Sequence, residues 1–211
     1  MSKVIFIGGP TACGKTTFTS MLNETITDSV RFRRVEGFYE LGKERELEDP
    51  FKEVKTSEVD DYFINKCMNN EVLISDVHYA IQMNRNHGED KNVDIHKEYV
   101  PTISKELLEK LVNNDIEIIA IYLECSPKTC FDRAIKRYDE TKKSKRNISL
   151  EDATLENLFE RTEWENLCSN DFVKGIVLNT EEYYPNELVD LAIQVMNEKP
   201  KIFIRETKND L

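Results

Sequence analysis

Residues 3–18 read KVIFIGGPTACGKTTF, and this stretch decides the fold. A mostly apolar run, Lys3 to Ile7, comes first and suits a buried strand. Gly9-Pro-Thr-Ala-Cys-Gly14-Lys15-Thr16 then matches G-x-x-x-x-G-K-[ST]. An amphipathic helix pattern follows from Lys15 to Glu24. Strand, glycine-framed loop and helix form the context that this phosphate-loop chemistry requires. The glycines let successive backbone N–H groups turn inward around a phosphate. The helix start adds the positive end of its dipole. Lys15 brings a point charge to the β- and γ-phosphates of ATP, and the Thr16 hydroxyl offers a ligand for Mg²⁺. Gly9, Thr11, Ala12, Cys13, Gly14, Lys15, Thr16 and Thr17 are the candidate nucleotide-phosphate residues. The plainer reading of Cys13 is a small residue that fits its place.

Outward from this loop, strand-like and helix-like stretches alternate. Val30–Val35 is a weaker strand and Thr56–Asn69 a helix with apolar residues at helical spacing. Val72–Ser75 is a strand ending at Asp76. Ser104 caps a helix carrying Leu107, Leu108 and Leu111. Ile116–Leu123 is the most strand-like run in the chain. Helices start at Ser126-Pro127 and at Ser149, where Asp152 completes the opening. Ile176–Leu178 is a last strand and Pro185–Met196 a last helix. The alternation predicts an α/β fold, a doubly wound parallel sheet of the P-loop NTPase type. One domain spans 1–198, with a tail over 199–211 whose KIFIRE stretch offers an edge strand or a packing surface. Three polar stretches break the alternation and read as loops: Gly42–Lys55, Gln82–Glu98 and Tyr138–Arg146. The last suggests a mobile lid at about 138–150.

Composition narrows the function classes. The chain has 211 residues and a formal net charge of −11, which argues against a broad nucleic-acid surface. No apolar run is long enough to span a bilayer, and the early first strand leaves no room for a signal peptide. Five cysteines, odd in number and without a Cys-x-x-Cys pair, read as reduced thiols of a cytoplasmic protein. A homo-oligomer is left open by the sequence.

Asp76 closes its strand in VLISDVHYA, where ligands of doubly wound sheets sit. It suits the Mg²⁺ water shell or the orientation of an acceptor, and the plainer reading is a turn aspartate. His78 follows two residues later and divides evenly between a site role and a structural one. A guanine-reading switch would need Asn-Lys-x-Asp, and Asn65-Lys66-Cys67-Met68 lacks the aspartate. A kinase needs arginines that close on the transferring phosphoryl group. Arg133 and Arg137 share one helix face, Arg146 lies in the basic run, and Arg161 lies on the next helix. One by one these would be solvated surface charges; grouped after a P-loop they suit a lid.

LECSPKTCFDRAIKR resembles the lid-entry helix of nucleoside monophosphate kinases. Asp76-Val-His78, followed by Tyr99-Val-Pro101 and ISKELLEKL, resembles the archaeal type of adenylate kinase. IVLNTEEYYPNELVDLAIQVM is similar to the closing strand and helix of such kinases. The resemblance covers 3–24 well and 72–197 loosely. It implies an ATP site from Gly9 to Thr17, with Arg133 near the adenine and Asn179 and Thr180 in the loop beside it. It also implies phosphate contacts from Arg137 and Arg161. Residues 31–58 depart from the family's acceptor region.

The resulting expectation is an ATP- and Mg²⁺-dependent phosphotransferase acting on a small-molecule nucleotide. Lys15, Asp76, Arg137 and Arg161 carry the chemistry. The acceptor lies near Arg33, Arg34, Glu36, Phe38, Tyr39 and His78. Arg33 or Arg34 would neutralise an acceptor monophosphate, and Phe38 or Tyr39 would stack a base. Adjacent on a strand, the two arginines would point to opposite faces. A kinase with a hydroxyl acceptor, using Glu36 as base, is the nearest rival. A regulatory ATPase without a small acceptor is the rival from another class.

Overall fold

The computed structural model describes residues 2–84, 97–141, 149–197 and 202–204. Strand β1 (Lys3–Gly8) leads into helix α1 (Lys15–Thr25), then β2 (Ser29–Arg31), α2 (Glu36–Glu44), the short α3 (Pro50–Glu53) and α4 (Thr56–Met68). After β3 (Val72–Asp76) come the paired β4 (Ala80–Asn84) and β5 (Lys97–Pro101), α5 (Lys105–Asn113) and β6 (Glu117–Glu124). The chain continues through α6 (Pro127–Thr141), α7 (Leu150–Cys168), β7 (Val173–Asn179), α8 (Pro185–Asn197) and β8 (Ile202–Ile204). Six strands form one sheet in the order β2-β3-β1-β6-β7-β8, every pair parallel. The fold is α/β, a doubly wound P-loop sheet with helices on both faces.

The period-two alternation of β1 splits the core. Val4 and Phe6 face a cluster with Phe63, Leu107, Leu111 and Trp164, from α4, α5 and α7. Ile5 and Ile7 face the opposite cluster with Phe18, Leu22, Leu188 and Val195, from α1 and α8. Strands buried on both faces explain the unbroken apolar run of Ile118–Leu123, all 1 % exposed or less. Ser104 and Ser149 cap α5 and α7, each accepting the backbone N–H of the residue three positions on. Asp152 answers the Ser149 N–H as a capping box.

Four expectations change. The strand anticipated over Val30–Val35 stops at Arg31, and the chain turns into α2. Successive turn bonds, Glu36 N to Arg33 O and Gly37 N to Arg34 O, start that helix. The Glu36 carboxylate accepts the Arg33 N–H and fixes the turn. Arg33 and Arg34 therefore do not alternate on a strand. The stretch Gly42–Lys55 is partly helical, through α3. Gln82–Glu98 contributes to an antiparallel pair, with Ala80 opposite Pro101 and Asn84 opposite Lys97, while 85–96 lie outside the described residues. Helix α6 runs on to Thr141, so the expected lid keeps only residues between α6 and α7, most of them outside the described residues. Ile202–Ile204, within the KIFIRE stretch, form β8, which lies parallel on β7.

Candidate active site

Three backbone positions shape the phosphate loop: Gly9 with φ 138°, Ala12 with φ 64° and Gly14 with φ 108°. A Cβ on Gly9 would stand 2.5 Å from the Leu123 carbonyl oxygen, so glycine is required there on two counts. Gly14 is the residue before α1, which points its first N–H groups at the loop. The Lys15 ammonium donates to the Gly9 and Pro10 carbonyls at 2.5 and 2.9 Å.

Two clefts meet at this loop. The first, of about 650 Å³, has Thr11, Lys15 and Thr16 at its phosphate end, Asp76 and His78 on its floor, and Arg33, Arg34 and Phe38 opposite. Val35, Val77, Ile81, Pro101, Ile103 and Leu107 complete an apolar wall. The second, of about 600 Å³, is lined by Cys13, Phe18, Leu123, Arg133 and the loop Thr180–Pro185. Ala12, Gly14, Thr17 and Arg137 border both.

Asp76 is not isolated at its strand end. Arg31 Nε and Nη2 donate to its Oδ1 at 3.1 and 2.9 Å, and Arg31 Nη1 reaches Ser20 Oγ at 3.3 Å. His78 Nδ1 lies 2.6 Å from Glu160 Oε1, while Glu160 Oε2 accepts the Tyr79 N–H at 2.7 Å. Glu160 is wholly buried. Burial pushes its carboxyl above the usual range, and the bonds from His78 and Tyr79 act against that shift. Glu156, one turn earlier on α7, accepts both the N–H and the hydroxyl of Thr11 at 2.9 and 2.6 Å. His78, Glu156 and Glu160 bring ligand atoms within 4.8 Å of one another. Their oxygens already serve Thr11, His78 and Tyr79, so the trio reads as a hydrogen-bonded brace beneath the loop.

The residues expected near an acceptor are paired. Arg33 Nε meets Glu36 Oε1 at 2.9 Å, and Arg34 Nε meets Asp60 Oδ1 at 2.5 Å. Arg34 Nη1 reaches the Thr102 carbonyl at 3.4 Å, and its Nη2 is buried without a partner among the described residues. Phe38 stacks on Phe51 at 5.0 Å, within the cleft wall. Tyr39 also touches Phe51 but is 57 % exposed and lies outside that lining. Glu36 likewise is not among the lining residues.

On the other side, Arg133 donates to the Thr180 carbonyl and hydroxyl, each at 3.3 Å, and to Cys125 Sγ at 3.5 Å. The Cys125 thiol is held below the usual thiol range, through its hydrogen bond with Cys130 first and then Thr180 and Arg133, against the opposing effect of burial. Asn179 orders this loop, accepting the Glu181 N–H at 2.9 Å, and does not line the cleft. Arg161 stands apart from both clefts. It pairs with Glu124 and Glu165 and lies over the Trp164 ring at 5.0 Å. The brace of Glu156 and Glu160, and the Arg31 partner of Asp76, were not anticipated from sequence. A signal for Glu160 exists: it interrupts the buried stripe Ala153, Trp164, Leu167 at helical spacing.

A family model described as an AAA domain matches residues 5–154. The chain belongs to this AAA domain family. The match covers the P-loop, β3 with Asp76, and α6 with Arg133 and Arg137. No curated protein matches the chain. Among solved structures, a tunicamycin resistance protein from Deinococcus radiodurans is similar at 14% identity and a TM-score of 0.54, over 92% of this chain and 96% of that one. A deoxyadenosine kinase from M. mycoides with bound dATP reaches 18% identity and 0.49, over 93% of this chain and 100% of that one. A shikimate kinase from Acinetobacter baumannii reaches 14% identity and 0.49, over 93% of each chain. At such identities the likeness is one of fold. No helix among the described residues is long and apolar enough to cross a membrane.

Proposed function

We propose that this AAA domain protein is an ATP-dependent phosphotransferase that moves the γ-phosphoryl group of ATP to a small molecule. One observation carries the reading: two clefts of nearly equal size open on opposite sides of one P-loop and share Arg137. A pure ATPase needs only the nucleotide side. A second cleft of about 650 Å³ at the phosphate end has the size of a small-molecule site.

In this reading the base of ATP occupies the cleft of Arg133 and Thr180, and its phosphates lie on residues 9–17. Lys15 and Arg137 face the charge that spreads over the transferring phosphoryl oxygens. The exposed Thr16 hydroxyl and the Asp76 carboxylate form an oxygen donor set that suits Mg²⁺, Asp76 acting through water. Mg²⁺ would neutralise the phosphate charge there. Arg31 holds Asp76 in place for that task, and Glu156 holds the first half of the loop through Thr11. His78, fixed by Glu160, faces the acceptor cleft.

The adenylate kinase-like reading gives this cleft a nucleoside monophosphate; Arg33, Arg34 and Phe38 in its lining favour that acceptor. A hydroxyl acceptor is favoured by the carboxylates that pair both arginines. ADP release should be followed with Mg·ATP alone and with pooled small-molecule acceptors. An acceptor-dependent rate that disappears in Lys15→Ala supports the phosphotransferase. A steady ATPase rate indifferent to every acceptor overturns it.

A further inference from the structure

Resting on the phosphotransferase reading, we propose that the acceptor is an uncharged alcohol with a flat apolar body rather than a phosphorylated molecule.

Charge pairing leads to this class. Among the described residues, each arginine on the acceptor side carries its own carboxylate: Arg33 with Glu36, and Arg34 with Asp60. Asp76 on the floor is in turn matched by Arg31. This end of the cleft is therefore close to neutral, inside a chain of net charge −11. A dianionic acceptor approaching it meets long-range repulsion with no local excess of positive charge to offset it. Pulling Arg34 onto a phosphate would strand Asp60, whose side chain is 5% exposed, and an unpaired buried carboxylate is strongly unfavourable. Lys15 and Arg137, at the other end, serve the phosphates of ATP.

Shape and polarity point the same way. Val35, Phe38, Val77, Ile81, Ile103 and Leu107 present an apolar wall, which gains most from a flat ring. Arg34 lines this cleft, and its Nη2, buried and without a partner among the described residues, asks for one neutral acceptor atom such as a carbonyl oxygen or a ring nitrogen. Such a contact leaves the Nε bond to Asp60 intact. The hydroxyl then points toward Lys15 and Asp76. Its oxygen attacks the γ-phosphorus in line while the bond from that phosphorus to the β–γ bridging oxygen breaks. ADP leaves with the bonding pair, and the hydroxyl proton passes to water. The loose transition state of phosphoryl transfer makes little demand for an early proton acceptor.

The test compares matched pairs under Mg·ATP: nucleosides, hexoses and aromatic alcohols, each beside its monophosphate. The expected result is higher kcat/KM for the neutral member of the best pair, by at least about tenfold. Preference for the monophosphate overturns this inference while leaving the phosphotransferase in place. Transfer to neither, with ATP merely hydrolysed, overturns both. Glu36→Gln supplies a second arm that leaves the buried pair untouched. Freeing Arg33 should raise the monophosphate-to-neutral ratio of kcat/KM by about fivefold. A ratio that is unchanged or lower contradicts the charge-pairing argument.

Discussion

One oxygen of Glu156 accepts both the backbone N–H and the hydroxyl of Thr11, at 2.9 and 2.6 Å, so helix α7 grips the phosphate loop directly. The loop's first half would otherwise depend on its own turns. Glu156→Ala leaves two part-buried donors unmet and should cost about 1–2 kcal/mol of stability. Glu156→Gln keeps an acceptor oxygen and should lose less than half of that. Urea unfolding of the two variants measures the difference. Equal losses would show that the carboxylate is not what holds the loop.

Asp76 combines a place in the lining of the first cleft with two bonds from Arg31. Asp76→Asn should lower kcat by about a hundredfold while shifting ATP affinity by less than about threefold. Arg31→Ala should reproduce a smaller part of the kcat loss, since the carboxylate remains but is no longer held. Steady-state kinetics with ATP titrations read both. Parallel loss of kcat and affinity in Asp76→Asn would mark Asp76 as structural.

Two of the four arginines expected around the lid, Arg133 and Arg161, separate in the structure. Arg133 binds the Thr180 loop within the second cleft, whereas Arg161 is paired and stacked away from both clefts. Arg133→Ala should raise the ATP Kd by about tenfold with little change in kcat. Arg161→Ala should act mainly on stability, through the lost stacking on Trp164 and Tyr122. Calorimetric ATP binding beside thermal unfolding distinguishes them. A large kcat loss in Arg161→Ala would return that residue to the chemistry.

The buried thiols set an alkaline limit. Burial raises Cys13 to about 11 and Cys67 and Cys168 to about 12. Cys130 is also raised, chiefly by its bond with Cys125, and burial raises Tyr79 and Tyr122. Below the ordinary thiol value of 9.0 these raised thiols are protonated in both folded and unfolded chains, and their contribution is complete. Above it the unfolded chain loses protons that the folded chain keeps, so stability falls as pH rises toward 11–12. Cys125, lowered by its bond with Cys130, works in the other sense: it adds stability above 9.0 that is lost as pH falls below that value. The larger set of raised groups should win on the alkaline side. The urea midpoint should be lower at about pH 10 than at about pH 8. An equal or higher midpoint at about pH 10 contradicts this.

Much of the scaffold was legible because it rests on local signals. The P-loop motif, the serine caps and the apolar strands each announce themselves within a few residues. The acceptor side was harder. Arg33 and Arg34 follow a strand-like Val30, and nothing local says that Glu36 will fold back on Arg33 to start a helix. The pair β4–β5 joins segments separated by a long polar stretch, so neither reads as a strand alone. Glu156 looks like part of a solvated helix face, and Glu160 shows only as a break in a buried stripe, until the parallel crossover lays α7 beside the loop. Asp76 was found by its place at a strand end, but its partner Arg31 comes from a neighbouring strand, a relation set by sheet order. Which charges cancel is a property of the assembled fold, and acceptor choice turns on that.

The most direct measurement follows the γ-phosphoryl group itself. ATP radiolabelled at the γ position, with Mg²⁺ and an acceptor, should place label in the acceptor in step with ADP formation. Lys15→Ala should remain folded, because the Lys15 ammonium is held by the loop carbonyls of Gly9 and Pro10 and not by the core. It should lose at least about a hundredfold in that transfer, about 3 kcal/mol of transition-state stabilisation. Label found only as inorganic phosphate, or full transfer by a folded Lys15→Ala protein, would contradict the account.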